Sequence, residues 1–183
     1  TGGSSHKKDW EILKPVIFDL CSYLGDKFEV LVFGYYPEYL KNTKQIFYVK
    51  PVPVKEYLSV LASLSYDLML VPLEDIEFNN YKSNLKFVEA GYTGRPVVAS
   101  QVPAYTGCIK HEENGWLLPN KTYSWVKLLR ALSKQKERIN EVGKAAMQTV
   151  ADDYNIDINW KKWATFYNKI LSSFGKNCLI EGV

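Results

Sequence analysis

The chain has few residues of the kinds that mark a secreted, redox or membrane protein. Its 183 residues include three cysteines, Cys21, Cys108 and Cys178, and no two of them have the spacing of a zinc or redox motif. An odd number of scattered cysteines favours reduced thiols and a cytoplasmic location. No apolar run is long enough to span a bilayer.

Histidine and strong net charge are also scarce. His6 and His111 have no acid or serine at a recognisable catalytic spacing, and we expect them to be surface or capping residues. No metal box, catalytic triad or P-loop is present, so the expected chemistry uses no metal and no cofactor. The net charge of +3 is mild and lysines alternate with acids, which argues against nucleic-acid binding. The small positive charge would attract anionic lipid only weakly, so any membrane contact is expected to be peripheral, at the inner face of the membrane.

What the sequence does contain is enough apolar material for one α/β domain. Hydrophobic residues make up 46% of the chain and aromatic residues 14%. Continuous apolar runs alternate with helical patterns, which predicts a doubly wound, Rossmann-like parallel sheet over residues 1–183. The predicted helix 8–23 carries Pro15 as a potential kink and stops at Gly25. The predicted strands are 28–33, 46–49, 67–73 and 95–100.

The segment before the first helix has the composition of a strand end and a turn, although no strand precedes it. We therefore expect the first strand to be truncated. Small residues such as Gly3 and Ser4 bring backbone close to a phosphate, with Lys7 or Lys8 as counter-charge. A strand-to-helix turn needs small residues in any case, so that alternative stays open.

The stretch 78–90 is the strongest candidate for ligand binding. It follows a buried strand, and a helix is predicted to start near Ser83, where unpaired N–H groups attract a phosphate. Ser83 is predicted to cap this helix or to bind phosphate. Lys82, Lys86 and Glu89 fall on one helical face, with the lysines suited to a pyrophosphate and the carboxylate to a ribose. The alternative is a solvated stripe with a Lys86–Glu89 surface pair.

Five motifs occur in order along nearly the whole chain: Gly3–Asp9, Tyr66–Leu73, Phe78–Glu89, Gly94–Ser100 and Asn114–Leu118. This set resembles the carboxyl-terminal, donor-binding half of a GT-B glycosyltransferase of group 1, the glycogen synthase-like kind. The resemblance implies the GT-B fold and the use of a nucleoside diphosphate sugar as substrate.

The resemblance also implies roles for individual residues. Glu89 corresponds to the glutamate that binds the donor ribose, and Ser83 and Asn84 face the diphosphate, as does the first turn with Gly3, Ser4 and Lys8. The loop with Val52 and Pro53 contacts the base. A second glutamate of the family, near the transferred sugar, is replaced here by Tyr81. Lys82 is then expected to neutralise the leaving diphosphate, so Lys82 and Glu89 are the candidate catalytic residues.

The implied activity is metal-independent, retaining transfer of a sugar to a glycan or lipid-linked acceptor, as in polysaccharide biosynthesis. The acceptor site would lie on an absent amino-terminal domain, on which the aromatic terminal helix at 158–174 would dock, so the 183-residue chain alone is expected to be inactive. The alternatives are a nucleotide-sugar epimerase or phosphorylase on the same fold and a non-catalytic scaffold domain.

Overall fold

The computed structural model describes residues 7–175. Eight α-helices, two 3-10 helices (Gly25–Lys27 and Glu38–Leu40) and five strands lie in this range. The helices are α1 Lys7–Leu24, α2 Val54–Ser63, α3 Glu77–Asn80, α4 Leu85–Tyr92, α5 Pro103–Thr106, α6 Thr122–Leu132, α7 Lys136–Asp153 and α8 Ile156–Ser173. The strands are β1 Val30–Phe33, β2 Ile46–Val49, β3 Met69–Val71, β4 Val97–Ser100 and β5 Trp116–Leu118.

All strand pairs are parallel. β1 pairs with β2, from Val30 opposite Ile46 onward, and β4 lies between β3 and β5 in a three-stranded sheet. β4 is buried along its whole length, as its continuous apolar run predicts for a strand covered on both faces. The predicted α/β class with parallel pairing is confirmed. Within residues 7–175 the strands form two sheets, however, because β1 and β3 do not pair with each other.

Helix α1 packs an apolar face on the core and is joined to α6 by an ion pair. Trp10, Leu13, Ile17 and Leu20 are buried at spacings of three and four residues. The Arg130 guanidinium on α6 donates two hydrogen bonds to Asp19 Oδ1, at 2.7 and 3.0 Å, and one to Oδ2. The helix continues through Pro15 and ends before Gly25, whose φ of 54° requires a residue that tolerates the left-handed region.

Helices α4 and α7 cross closely because glycines remove side chains from their contact. A Cβ added to Gly91 would lie 2.6 Å from Val150 Cγ2, and a Cβ added to Gly143 would lie 2.5 Å from the Gly94 carbonyl oxygen. These approaches hold α4, the helix of the candidate site, against α7.

Element boundaries differ from the sequence prediction mainly around α4. The helix predicted to start near Ser83 begins at Leu85, and the stretch predicted as a polar loop contains the short helix α3. The predicted strands 28–33, 67–73 and 95–100 are each shorter. The amides of Phe28 and Arg95 bond to the carbonyls of Gly25 and Ala90, and the Leu73 amide bonds to Ser100 Oγ. Strand β2 has the predicted bounds.

Candidate functional site

The loops at the carboxyl ends of β3, β4 and β5 are tied together by side chains. The Leu73 amide donates to Ser100 Oγ at 2.8 Å, Ser100 Oγ donates to Asn120 Oδ1 at 2.6 Å, and Asn120 Nδ2 donates to the Leu73 carbonyl at 2.8 Å. The loops after Leu73 and Ser100 therefore meet at this edge. Ligands of parallel α/β sheets bind beyond this edge.

The start of α1 joins the same edge. The Glu74 amide, just after β3, donates to Asp9 Oδ1 at 2.8 Å, and Asp9 is only 3% exposed. Lys8 lies beside it in the first turn of α1 and is exposed to solvent. Gly3 and Ser4, predicted to approach a phosphate, and His6 lie outside the described residues.

Glu89 is buried at the centre of a polar cluster on α4. Glu89 Oε2 accepts a hydrogen bond of 2.8 Å from the Tyr57 hydroxyl and one of 2.8 Å from Lys86 Nζ, and the residue is 7% exposed. Lys86 Nζ also donates to the Tyr57 hydroxyl at 3.1 Å. The Lys86–Glu89 pair of the solvated-stripe alternative therefore exists, but it is buried and includes a third residue.

Charge and burial act in opposite directions on Lys86. Burial lowers the pKa of Lys86, but the hydrogen bonds to Glu89 and Tyr57 favour the ammonium and leave the pKa raised above its ordinary value. Lys86 is thus a cation held against Glu89 and Tyr57, and its role in pyrophosphate binding stays a prediction.

Lys82 lies before the helix start and has a different environment. It is half-buried, its ammonium lies 5.6 Å from the centre of the Phe78 ring, and within residues 7–175 it forms no ion pair. The first turn of α4 follows directly, with N–H groups that have no intrahelical partner. Lys82 and this turn are therefore the positive groups best placed to meet an anion.

Asn84, and not Ser83, is the amino-terminal cap residue of α4, and it makes no side-chain cap hydrogen bond. The predicted capping by Ser83 is wrong, because the chain turns for two further residues before the helix forms; Ser83 is exposed instead. The Asn84 side chain donates to the Tyr154 hydroxyl at the end of α7. Ser83 and Asn84 can thus meet a phosphate only from the rim of the helix start.

Cys108 lies against the Asn84 and Tyr154 pair. Burial raises the pKa of the Cys108 thiol, and hydrogen bonding with Asn84 and Tyr154 only partly offsets this. A thiol with a raised pKa is a poor nucleophile, so Cys108 is a structural residue.

The remaining predicted positions surround this site. Val52 is half-buried against the core cluster that includes Tyr57, and Pro53 is the residue before α2. In the sequence they precede Tyr57 of the Glu89 cluster by five and four residues. Tyr81 is 84% exposed beside Lys82. His111 is exposed, as predicted for a surface residue, and its Nδ1 accepts a hydrogen bond from the Leu117 amide of β5.

Sequence reasoning did not assign a site role to Tyr57, Asp9 or Asn120. Tyr57 and Glu89 are 32 residues apart, and only the packing of α2 on α4 brings them together. Asn120 follows β5, at the same edge as Ser100. The sequence indicates this role of Asn120 only through its position two residues after the end of β5.

The described residues contain neither a membrane-spanning helix nor a cluster of metal ligands. No helix there is long and apolar enough to cross a membrane. In the same part of the chain, no group of three or more His, Cys, Asp and Glu side chains is arranged to hold a metal ion.

Several solved structures have the same fold as this chain. Sucrose-phosphate synthase from Thermosynechococcus elongatus has a TM-score of 0.67 at 17% identity, over 89% of this chain and 43% of that chain. HepE from Anabaena in complex with UDP-glucose has a TM-score of 0.63 at 15% identity, over 84% and 44% of the two chains. The present chain therefore spans less than half the length of these neighbours.

A third structure is a carboxyl-terminal domain alone. That domain, from the glycosyl transferase group 1 family protein LpcC of Francisella tularensis, has a TM-score of 0.64 at 19% identity, over 85% of this chain and 84% of that chain. No curated protein sequence matches significantly. A family model described as glycosyl transferase-like matches residues 14–165, which is most of the chain. The chain thus belongs to the glycosyl transferase-like family, with the fold of the carboxyl-terminal domain of GT-B group 1 glycosyltransferases.

Proposed function

We propose that this chain is the donor-binding domain of a glycosyltransferase that transfers a sugar from a nucleoside diphosphate sugar to a glycan or lipid-linked acceptor. The observation that carries the proposal is the buried Glu89 carboxylate, held by Tyr57 and Lys86 beside the start of α4. Burial of a carboxylate costs desolvation free energy even when two donors bond to it. Both donors bond to Glu89 Oε2, and a carboxylate has further acceptor sites that suit ribose hydroxyls. HepE, which shares the fold, binds UDP-glucose.

In the proposed complex, the diphosphate lies at the start of α4 and the base lies against the backbone of Val52 and Pro53. Lys82 and the first-turn N–H groups stabilise the negative charge that develops on the leaving diphosphate, without a metal. Lys8 of α1 is proposed to approach the phosphates together with Gly3 and Ser4, which precede it in the sequence. The group 1 relationship supports retention of configuration at the transferred sugar.

The acceptor site and any catalytic base are proposed to lie on a second domain, since the chain spans only 43% and 44% of two full neighbours. The transferase would then act at the cytoplasmic side of the cell. This division predicts that the 183-residue chain binds donor but transfers no sugar. Radiolabelled sugar transfer by the chain alone would contradict it, and conversion of the nucleotide sugar without acceptor would indicate an epimerase.

Calorimetric titration with UDP, GDP and ADP tests donor binding. We expect one diphosphate to bind saturably and Glu89→Gln to weaken it about tenfold or more, the value of a hydrogen bond to a charged group. The 2′-deoxy or the 3′-deoxy nucleotide lacks a hydroxyl that Glu89 would bind. Its affinity should therefore be nearly the same for the parent chain and for Glu89→Gln. Lys82→Ala should weaken the diphosphate more than the monophosphate.

Lys127→Ala, an exposed change on α6, is the matched control and should bind like the parent chain. The melting temperature of each variant separates lost binding from lost folding. Equal affinity of parent, Glu89→Gln and Lys82→Ala for every diphosphate would refute the assigned roles, and absence of binding by the folded parent would favour a scaffold.

A further inference from the structure

The two oxygens of the Glu89 carboxylate have different surroundings. Both donors of the cluster, the Tyr57 hydroxyl and Lys86 Nζ, bond to Oε2, each at 2.8 Å. Within residues 7–175 the other oxygen, Oε1, accepts no hydrogen bond. Asn168 Oδ1 is the one buried side-chain nitrogen or oxygen without a partner among the described residues, so Glu89 Oε1 is open to solvent. A ligand can therefore reach this otherwise buried carboxylate through Oε1.

The direction of the Tyr57 hydroxyl proton is determined by its neighbours. Lys86 Nζ donates to the Tyr57 oxygen at 3.1 Å, and an ammonium group has no lone pair with which to accept a bond. The phenol proton is therefore directed to Glu89 Oε2. Donation runs from Lys86 through Tyr57 to the carboxylate, and hydrogen bonds in such a chain strengthen one another.

The ring of Tyr57 is held in place by two further contacts. It stacks on Phe33, the last residue of β1, with ring centres 5.2 Å apart and an angle of 27° between the ring planes. The Lys86 ammonium lies 5.0 Å from the centre of the Tyr57 ring. The position of the Tyr57 hydroxyl is therefore set by β1 and α4 before any ligand binds.

We propose that Tyr57 is a positioning residue of the ribose site, which binds Oε2 and thereby turns Oε1 of Glu89 toward a ribose hydroxyl. This inference rests on the proposed function, in which Glu89 binds the donor ribose. Tyr57 acts through Glu89 and not by contact with the nucleotide. It lies in the first turn of α2, directly after the loop with Val52 and Pro53. One short segment would thus set both the loop proposed for the base and the carboxylate proposed for the ribose.

Loss of the Tyr57 hydroxyl would leave Lys86 as the remaining donor to Glu89 Oε2 among the described residues. The carboxylate could then turn about its terminal torsion, whose energy profile is broad and roughly twofold, and present either oxygen to the ammonium. A ribose hydroxyl would meet a carboxylate that has to be ordered on binding, which lowers the affinity. A nucleotide without that hydroxyl does not use the oriented carboxylate, so its affinity should not change.

Tyr57→Phe tests the inference, because it removes the hydroxyl and keeps the ring that packs on Phe33. Calorimetric titration compares the nucleoside diphosphate that the parent chain prefers with its 2′-deoxy and 3′-deoxy forms. We expect Tyr57→Phe to weaken the ribonucleotide about fivefold or more, the effect of one hydrogen bond, and the form without the Glu89-bound hydroxyl less than about twofold. In the Glu89→Gln chain, the added Tyr57→Phe change should have no further effect on affinity.

Tyr66→Phe is the matched control. The Tyr66 hydroxyl also bonds to a residue of the α4 end, Thr93 Oγ1 at 2.8 Å, but not to Glu89, so both nucleotides should bind as they do to the parent chain. Equal weakening of the ribonucleotide and the deoxynucleotide by Tyr57→Phe would show a general structural effect and overturn the inference.

The titration also separates this inference from the function on which it rests. Unchanged affinity of Tyr57→Phe, while Glu89→Gln still weakens the ribonucleotide, would overturn the role of Tyr57 and leave the proposed function in place. A folded parent chain that binds no diphosphate would overturn both.

Discussion

At the scale of single residues, the Glu89 cluster differs from an ordinary surface ion pair. The Lys86–Glu89 pair has an acid side chain that is 8% exposed, and both residues also bond to Tyr57. Exposed pairs contribute little to stability, whereas loss of one partner of a buried pair leaves an uncompensated charge. The three residues should therefore behave as one energetic unit.

A double-mutant cycle measures this coupling. We expect Lys86→Met to lower the free energy of unfolding more in the parent chain than in Glu89→Gln, because only the first background leaves a buried carboxylate without its cation. The difference should be about 0.5–3 kcal/mol, the range for residues in one network. Urea unfolding of the four chains gives the values, and additive effects would mean that the pair is solvated.

Tyr105 gives a prediction about alkaline pH. Burial raises the pKa of Tyr105 above its ordinary value of 10.0, and the Asp9 carboxylate raises it further. The unfolded chain then releases this proton first as pH increases, so the associated stability is complete below pH 10 and decreases above it. Each such group contributes a slope of about 1.4 kcal/mol per pH unit.

Between pH 10 and pH 12 the free energy of unfolding should fall less steeply in Tyr105→Phe than in the parent chain. The difference between the two slopes should be about 1.4 kcal/mol per pH unit. Urea denaturation at several pH values provides the measurement. Tyr123→Phe is the control, because Tyr123 is 74% exposed and should leave the slope unchanged. Identical slopes for the Tyr105→Phe and parent chains would contradict the expectation.

The sequence predicted part of this site. Helical spacing placed Lys86 and Glu89 on one face, since that spacing depends only on the helix itself. The same spacing offered the Lys86–Glu89 pair only as a solvated alternative, because the third partner, Tyr57, comes from another helix. Local chemistry was also misleading at Ser83, where the backbone turn decides the helix start.

At the scale of elements, apolar periodicity predicted most helices and strands. The face of α1 and the bounds of β2 agree with the sequence, because both depend on long or well-delimited apolar runs. The short helices α3 and α5 were missed, since four residues carry too little periodicity. The sequence also does not show that Gly143 packs closely against Gly94 and Pro96. From the sequence alone, a glycine inside α7 would only be expected to lower helix stability.

Gly143→Ala should destabilise the chain although alanine favours helices. The new Cβ would lie 2.5 Å from the Gly94 carbonyl oxygen and 3.1 Å from Pro96 Cδ, so α7 must shift from α4. We expect a loss of about 1–2 kcal/mol, the cost of overpacking less the gain in helix propensity. Lys144→Ala, exposed on the same helix, should change stability by less than about 0.5 kcal/mol. Thermal melting compares the Gly143→Ala and Lys144→Ala chains. An unchanged melting temperature for Gly143→Ala would show that α7 can accommodate the added methyl group.

At the scale of the whole molecule, α8 presents a large aromatic surface. Trp163, Phe166 and Tyr167 are each more than half exposed, while Ala164 is buried. Contiguous exposed apolar surface of this kind marks an interaction site. It supports the proposal that the terminal helix docks on a second domain.

Changing Trp163 and Phe166 together to serine should leave the melting temperature nearly unchanged, since exposed side chains contribute within about 0.5 kcal/mol each. The same change should reduce concentration-dependent self-association of the 183-residue chain in sedimentation. Lys161 and Lys162 changed to serine are the control on the same helix. A large fall in melting temperature would instead show that this face packs within the chain.

The candidate site has two parts. The first, called the floor, is the hydrogen-bonded set Leu73, Ser100 and Asn120; the second, called the rim, consists of the exposed residues Phe78 and Tyr81. Because every partner in these bonds belongs to the chain itself, the floor needs no nucleotide to become ordered and incurs no ordering entropy on binding. Phe78 and Tyr81 on the rim are largely exposed and can be replaced without disturbing those bonds. In the proposed donor complex, selectivity for a different sugar could therefore be engineered at Tyr81, which takes no part in those bonds.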